Sequence, residues 1–297
     1  MHISDKNKKP VILALGYFDS VHLGHKSVIG CAVSKAKALD ISAVVFTFKG
    51  NLRAYLNGDK ETYVFNAEER ERLILDLGVD SVYFAQASKE FLSLSATEFL
   101  DFINSVYDIK AYVSGKDYRF GKNASGDISF LKDYANSKGQ EVITVEDVNF
   151  NDEKISTTRI KKLLANGDVE GANALLGFNY FIAGSIVKDR GIGKTLGFPT
   201  ANIETDIERQ PLKKGVYVGK AIIENKESTA LINYGDRPTF NEKKAVLEAY
   251  FIDFNGDLYG EKIKVSFIKF IREIKAFSSK EELSEQIKKD LIIAKNL

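Results

Sequence analysis

The chain has 297 residues, of which 44% are hydrophobic and 28% charged, and its 42 Lys and Arg nearly balance its 41 Asp and Glu. This length is enough for two domains with separate cores, and the near-neutral charge disfavours broad nucleic-acid or membrane-surface binding. The single cysteine, Cys31, excludes a disulfide within the chain and a zinc site of several cysteines. Because no apolar run approaches the ~20 residues that span a bilayer and no signal-peptide pattern is visible, we expect a cytoplasmic protein without membrane or nucleic-acid partners. The oligomeric state is left open.

Short apolar runs alternate with helical patterns along the first half of the chain. The runs predicted as buried strands are Val11–Leu15, Ala43–Phe48, Ser81–Ala85, Ala111–Ser114 and Glu141–Val145. A helix is predicted over His25–Leu39, and two more begin at Asn66 with Glu69 and at Ser95 with Glu98, which are N-cap patterns. This alternation predicts a doubly wound parallel sheet, in which ligands bind at the carboxyl ends of the strands.

The pattern changes in the second half. The helices and strands predicted there are Ser156–Asn166, Val169–Leu176, Asn179–Val187, Gly215–Ile223, Ser228–Asn233, Ala245–Phe254 and Glu261–Ile271. Asn255–Gly256 is typical of a type I′ hairpin, and Ser278 with Glu281 predicts the N-cap of a final helix. We therefore predict an α/β domain over residues 1–178, followed over residues 179–297 by an antiparallel β-barrel or sandwich with a C-terminal helix.

Two of the three histidines lie where the first strand meets the first helix. The segment Gly16–His25 places His22 and His25 three residues apart at a helix start, where free N–H groups and the helix dipole favour phosphate. Two imidazoles there could stabilise charge on a transferring phosphoryl group, although such a pair can also be structural. Further candidates for nucleotide contact in this segment are Gly16, Phe18, Asp19 and Gly24.

A second hydroxyl-rich helix start lies late in the same half, at Ile155–Ile160. Its Ser156, Thr157 and Thr158 are candidate phosphate ligands, and Arg159 is a candidate catalytic cation for the β and γ phosphates. Taken alone, the segment fits an ordinary N-cap cluster equally well.

These segments together resemble the nucleotidylyltransferase superfamily. Gly115–Lys122, followed by Gly126–Asp127, resembles the Gly-x-Asp-Phe-Arg-Phe-Gly block of bacterial FAD synthetases. The resemblance implies an FMN adenylyltransferase domain and assigns flavin contacts to Asp117, Arg119 and Phe120. Without it, the block would be interpreted as a basic loop whose aromatic residues pack on the sheet.

The first half also departs from the FAD synthetase pattern. Ser20 stands where the family usually has glycine, and Thr157 and Lys161 stand where serine and arginine are common. Gly50–Leu52 replaces a Pro-His-Pro element of the adenylylation pocket, and its Asn51 can bond phosphate without carrying charge.

The segment Gly193–Asn202 carries the most specific pattern of the chain. Its glycine-bracketed loop suits backbone contacts to phosphate, and Thr200 and Asn202 offer the oxygen ligands that Mg²⁺ prefers. It resembles the Gly-Arg-x-Leu-Gly-Phe-Pro-Thr-Ala-Asn signature of riboflavin kinases, with Lys194 in place of arginine. The residues assigned to ATP phosphates are Gly193, Lys194 and Gly197.

Further riboflavin kinase segments follow in the family's order, so that the resemblance covers residues 11–297. Asn233–Phe240 resembles an Asn-x-Gly-x-Arg-Pro-Thr-Phe loop, and a basic aromatic segment follows Phe270. The resemblance implies that Asn233 contacts ATP and that Arg237 and Arg272 contact flavin.

Glu248 is the candidate general base. It lies in an apolar strand, where partial desolvation makes a carboxylate a stronger base. It could accept the proton of the riboflavin 5′-hydroxyl during attack on the γ-phosphate. Strand alternation also allows a glutamate on the solvent face with no catalytic role.

The sequence therefore predicts a bifunctional enzyme that converts riboflavin to FMN and FMN to FAD, with MgATP in both steps. One alternative is a riboflavin kinase whose N-terminal domain only binds nucleotide or flavin, because the Pro-His-Pro element is missing. A second is a flavin-sensing regulatory protein. A third, a nucleotidylyltransferase for a sugar or lipid headgroup, is disfavoured by the barrel domain.

Overall fold

The computed structural model describes residues 8–50, 62–188, 198–205, 209–236, 245–254 and 256–297. By its internal contacts the chain divides into two compact units, Met1–Thr157 and Thr158–Leu297. The helices at 157–166 and 169–176 group with the second unit in this division, whereas our predicted boundary lies after them. The boundary at residue 178 stays a prediction.

The first unit is built on a parallel sheet. Its elements are β1 (Pro10–Leu15), α1 (Leu23–Leu39), β2 (Ser42–Phe48), α2 (Ala67–Leu75), β3 (Ser81–Ala85), α3 (Lys89–Leu92), α4 (Ala96–Val106), β4 (Asp108–Gly115), α5 (Ile128–Ser137), β5 (Glu141–Val145) and the short pair β6 (Asn149–Phe150) and β7 (Glu153–Lys154). The strand order is β3-β2-β1-β4-β5, and every pairing within that sheet is parallel. The predicted doubly wound sheet is confirmed, with β1 central.

Apolar residues cover both faces of this sheet. Side chains of β1 alternate between two buried clusters, with Leu13 in one and Ile12 in the other. Such two-sided burial is why the strands appear in the sequence as continuous apolar runs. Two helix N-caps form as predicted. Asn66 with Glu69 and Ser95 with Glu98 both form complete capping boxes.

The second unit is a barrel flanked by helices. Its elements are α6 (Thr157–Asn166), α7 (Val169–Leu176), β8 (Phe181–Val187), β9 (Ala201–Glu204), β10 (Gly215–Ile223), β11 (Lys226–Asp236), β12 (Ala245–Phe251), β13 (Lys262–Arg272) and α8 (Lys280–Lys295). Thr157, the first residue of α6, is the last residue of the first unit. The strands close in the order β10-β11-β12-β9-β8-β13, and neighbours are antiparallel. The predicted antiparallel barrel with a C-terminal helix is confirmed.

Two local predictions in this unit differ from the structure. The side chain that caps α8 is Ser279, which accepts from the Glu282 N–H at 3.1 Å, while Ser278 donates to the Glu282 carboxylate. The predicted pair of Ser278 and Glu281 was therefore wrong by one residue, because the sequence offers two adjacent serines and two adjacent glutamates. The short strand β9 was not predicted. Asn255, the first residue of the predicted hairpin turn, lies outside the described residues.

Candidate active sites

The loop from β1 to α1 holds the two histidines against each other. His22 is the N-cap of α1, and its Nδ1 accepts a hydrogen bond from the His25 backbone N–H at 3.1 Å. The two imidazole rings stack with their centroids 3.6 Å apart and an interplanar angle of 17°. One residue thus both starts the helix and presents its ring beside a second imidazole.

Two glycines of this loop lie close to neighbouring rings, so that a Cβ at either position would crowd them. A Cβ at Gly24 would lie 3.1 Å from Cε1 of His22, and a Cβ at Gly16 would lie 2.5 Å from the ring of Phe18. Phe18 and Val21 have positive φ values of 48° and 47°, which side chains rarely adopt unless the surrounding structure holds them. The loop is therefore shaped around the histidine and phenylalanine rings.

Burial keeps both imidazoles neutral. It lowers the pKa of His22 to about 4, against an opposing backbone hydrogen bond, and nearby Lys154 lowers it further. The pKa of His25 also lies well below its usual range because of burial, the neighbouring His22 and the cation of Arg70. Since Nδ1 of His22 accepts a hydrogen bond, its single proton resides on Nε2, which is then a donor suited to a phosphate oxygen.

Arg70 joins the carboxyl ends of the neighbouring strands β1 and β2. Its side chain is 1% exposed, and its guanidinium donates to the carbonyl oxygens of Tyr17, Phe48 and Lys49 at 2.8–3.2 Å. The positions that follow β1 and β2 are therefore held by one buried cation, which also contributes to the low pKa of His25.

The remaining predicted residues of this loop have mainly internal contacts. The Asp19 carboxylate is buried, and its Oδ1 accepts from the Val64 N–H at 3.0 Å. Ser20 Oγ lies 3.0 Å from Thr157 Oγ1, so the first residue of α6 is bonded to the histidine loop.

The other predicted residues of the hydroxyl-rich segment differ in burial. Ser156 adjoins Thr157 and is half-buried, whereas Thr158 is exposed. Arg159 belongs to the second compact unit.

The block after β4 combines exposed charges with a buried aromatic residue. Asp117 accepts from Lys154 at 2.6 Å, and Arg119 lies 3.4 Å from Asp127, with these side chains largely exposed. Phe120 is 5% exposed and packs within a core cluster of aromatic residues. Phe120 is thus a core residue of the loop, while Asp117 and Arg119 form ion pairs at the surface, and their predicted flavin contacts stay predictions.

In the barrel, three predicted residues lie in one row. Glu248 on β12 is directly opposite Asn202 on β9 and Asn233 on β11. Residues directly opposite each other in antiparallel strands project from the same face, so the carboxylate has an amide on each side. Leu247 and Ala249, both fully buried, alternate with Glu248 and project from the opposite face into the barrel. The row is therefore on the outer face.

The neighbouring row on that face is apolar and covered by α8. Tyr250, Leu231 and Val218 are opposite one another in register, and Val218 packs in a buried cluster with Ala294 of α8. Phe198 meets Tyr250 edge-on, with ring centroids 5.7 Å apart. Phe198 is two residues before the half-buried Thr200, so this contact brings that segment beside the polar row.

Arg272 connects the barrel to the C-terminal helix. Its guanidinium donates to both carboxylate oxygens of Asp290, with the shortest contact at 2.7 Å, and lies over the ring of Phe277. Asp290 is 1% exposed and also accepts from Gln286. Arg272, predicted as a flavin contact, thus also holds α8 in place.

Family comparisons match both halves of the chain. A riboflavin kinase model matches residues 176–297, and an FAD synthetase model matches residues 4–159. The bifunctional riboflavin kinase/FMN adenylyltransferase of Bacillus subtilis (strain 168) is 35% identical over 294 residues, which cover 97% of this chain and 93% of that protein. This chain belongs to the bifunctional riboflavin kinase/FMN adenylyltransferase family. The resemblance drawn from the motifs is confirmed.

Two further comparisons cover nearly the whole length of this riboflavin kinase/FMN adenylyltransferase family member. The bifunctional enzyme of Listeria monocytogenes serovar 1/2a is 32% identical over 97% of this chain and 91% of its own length. A crystal structure from Streptococcus pneumoniae, described as a macrolide-efflux protein, superposes with a TM-score of 0.90 at 32% identity, covering 98% of this chain and 95% of that one. Among the described residues of this chain, none of the helices is long and apolar enough to cross a membrane.

Some family residues lie outside the described ranges. These are Asn51, Leu52, Gly193, Lys194, Gly197 and Arg237, and their assigned roles stay predictions. The structure adds two residues that the sequence analysis did not select, Arg70 and Asp290. The available signal was helical spacing, since Arg70 is four residues from the buried Ile74 and Asp290 is four residues from Ala294.

Proposed function

We propose that this chain phosphorylates riboflavin to FMN in its second unit and adenylylates FMN to FAD in its first unit. The observation that carries the kinase half is the row of Asn202, Glu248 and Asn233, which places a carboxylate between two amides beside the Phe198–Thr200 segment. The stacked neutral pair of His22 and His25 at a helix N-terminus supports the adenylyltransferase half.

In the kinase step, Glu248 removes the proton from the 5′-hydroxyl of riboflavin. A bond forms between that oxygen and the γ-phosphorus, the bond from the γ-phosphorus to the β,γ-bridging oxygen breaks, and ADP leaves. The flanking amides of Asn202 and Asn233 orient phosphate oxygens and hold the reacting groups in line. Asn233 is exposed and Asn202 is buried, so the two amides that flank Glu248 on the outer face differ in their access to solvent.

Mg²⁺ fits the oxygen donors of Thr200 and Asn202, at one end of this row. The described residues hold no group of three His, Cys, Asp or Glu side chains that could hold a metal alone. The hydroxyl of Thr200 and the amide oxygen of Asn202 would hold the ion with ATP phosphates, an arrangement that Mg²⁺ favours. When bound, the ion supplies charge neutralisation to the phosphates.

In the adenylyltransferase step, a phosphate oxygen of FMN attacks the α-phosphorus of ATP. The bond from that phosphorus to the α,β-bridging oxygen breaks, and pyrophosphate leaves. His22 donates from Nε2 to the phosphate oxygens as their charge increases, and the first turn of α1 adds backbone N–H groups. The neutral imidazoles also avoid burying two like charges 3.6 Å apart.

A direct test is a chromatographic time course of purified protein with riboflavin, excess ATP and Mg²⁺. We expect FMN first and FAD afterwards, at the cytoplasmic pH and Mg²⁺ level that the proposed location implies. FMN that accumulates without FAD would contradict the adenylyltransferase half and favour a monofunctional kinase. Flavin binding without either product would contradict both halves and favour a flavin sensor.

A further inference from the structure

Two departures from the FAD synthetase pattern meet in space. Ser20 replaces a common glycine and Thr157 replaces a common serine, and they are separated by 137 positions in the sequence. Their hydroxyl oxygens lie 3.0 Å apart, within hydrogen-bond distance. Ser20 is 0% exposed, so bulk solvent does not compete with Thr157 for its hydroxyl. The two departures therefore form one paired feature.

The bond joins two segments that were each selected for phosphate binding. Ser20 lies two residues before His22, in the loop whose positive φ values at Phe18 and Val21 mark it as tightly held. Thr157 is the first residue of α6. Glycine at position 20 would leave Thr157 without this partner, and serine at position 157 would lack the methyl group that restricts χ1. The pair thus fixes where the Thr157 hydroxyl is directed.

When phosphate is bound, the hydrogen bond between the two hydroxyls can have only one donor, Ser20. A fully ionised phosphate oxygen accepts hydrogen bonds, and a hydroxyl has one proton to donate. If Thr157 gives its proton to a phosphate oxygen, its own oxygen must accept from Ser20. The resulting chain runs from Ser20 to Thr157 to phosphate, and each bond polarises the next.

We propose that Ser20 is a positioning residue of the adenylyl-transfer site, acting through the Thr157 hydroxyl on a phosphate of ATP. This inference rests on the proposed adenylyltransferase function. Ser20 does not touch substrate; it orients a group that does. It affects the affinity for ATP in the FMN-to-FAD reaction and leaves the riboflavin kinase reaction unchanged.

The experiment is a double-mutant cycle of Ser20→Ala, Thr157→Val and the combined variant, in the full chain with FMN and MgATP. Both substitutions preserve shape while removing a hydroxyl. Ser114→Ala is the matched control, because Ser114 is also 0% exposed in the first unit, and its hydroxyl has no hydrogen-bond partner among the described residues. Thr157→Ser restores the hydroxyl and serves as the rescue variant.

We expect Ser20→Ala to raise the KM for ATP about three- to tenfold with a smaller change in kcat, as suits one neutral hydrogen bond. The combined variant should be no worse than Thr157→Val alone, and Thr157→Ser should stay near wild type. A KM in Ser20→Ala equal to that of Ser114→Ala, or additive losses in the cycle, would overturn the inference. A urea denaturation midpoint equal to that of the wild type shows that each variant is folded, because retained kinase activity reports on the second unit alone.

A wild-type chain that forms no FAD from FMN would instead refute the proposed adenylyltransferase function. The positioning role is then tested by equilibrium titration with MgATP alone. Ser20→Ala should weaken one of two ATP binding steps about three- to tenfold and leave the other unchanged. Identical titrations of wild type and Ser20→Ala would overturn the positioning role independently of turnover.

Discussion

The two units place their candidate sites on different kinds of sheet surface. In the first, the site lies where parallel strands end and a helix begins, and a loop with positive φ values and close-packed rings shapes it. In the second, the site is a row of side chains in register across antiparallel strands on the outer face of a barrel. The first site thus depends on loop geometry and neutral donors, and the second on strand register and a carboxylate.

Glu248→Gln should produce the largest difference between the activities of the two units. Glutamine keeps the size and polarity of the side chain but cannot accept the hydroxyl proton. We expect riboflavin phosphorylation to fall by about 10²- to 10⁴-fold, while adenylylation of supplied FMN is unchanged. The matched control is Glu227→Gln, because Glu227 is an exposed glutamate near the start of β11 that pairs with Lys220. Kinase activity within tenfold of wild type would exclude Glu248 as the base.

His22→Asn tests the neutral donor without removing the helix cap. Asparagine is a good N-cap residue, but it lacks the imidazole that stacks on His25. We expect FAD formation from FMN to fall about 10²- to 10³-fold, as for other lost donors to a transition-state oxyanion. Riboflavin phosphorylation should be retained. An unchanged FAD rate would mean that the histidine pair has a structural role alone.

Asp290→Asn tests how the barrel site depends on α8. It removes a buried charge that two guanidinium nitrogens of Arg272 contact. We expect the free energy of unfolding of the second unit to fall by about 3 kcal/mol, measured by urea denaturation. Glu285→Gln, which breaks an exposed pair with Lys288 on the same helix, should change the urea midpoint little. Equal midpoints for both variants would contradict the account.

The smallest expected effect is the pH dependence of the first unit's stability. The pKa of His22 is about 4 in the folded chain and near 6.5 when exposed, so protonation favours unfolding. This contribution is fully present above pH 6.5 and is lost as pH falls towards about 4. Between pH 7.5 and 5 the loss is about 2 kcal/mol. Urea denaturation of His22→Asn should show a smaller loss; an equal loss would contradict the low pKa.

Most of the fold followed from sequence patterns because the relevant signals are local. The parallel strands are continuous apolar runs, and the capping boxes at Asn66 and Ser95 form as predicted. The cap of α8 was misplaced by one residue where Ser278 and Ser279 compete. Strand β9 is four residues long and begins inside the Pro-Thr-Ala-Asn motif, at Ala201, so the start of this strand was interpreted as part of a loop.

The sequence predicted which residues belong to the candidate sites, but it did not predict how those residues are arranged in space. Asn202, Glu248 and Asn233 were selected separately, and their common row depends on a strand register that connects distant parts of the chain. The bond between Ser20 and Thr157 and the contacts of Arg70 depend on tertiary packing in the same way. No local periodicity specifies such pairs.

The most direct test of two independent sites on one chain is a mixing experiment. Glu248→Gln and His22→Asn are each incubated with riboflavin, ATP and Mg²⁺, alone and combined, and FAD is followed by chromatography. We predict negligible FAD from Glu248→Gln alone, FMN without FAD from His22→Asn alone, and restored FAD in the mixture, because one variant supplies FMN to the other. A mixture that forms FMN but no FAD would contradict the account.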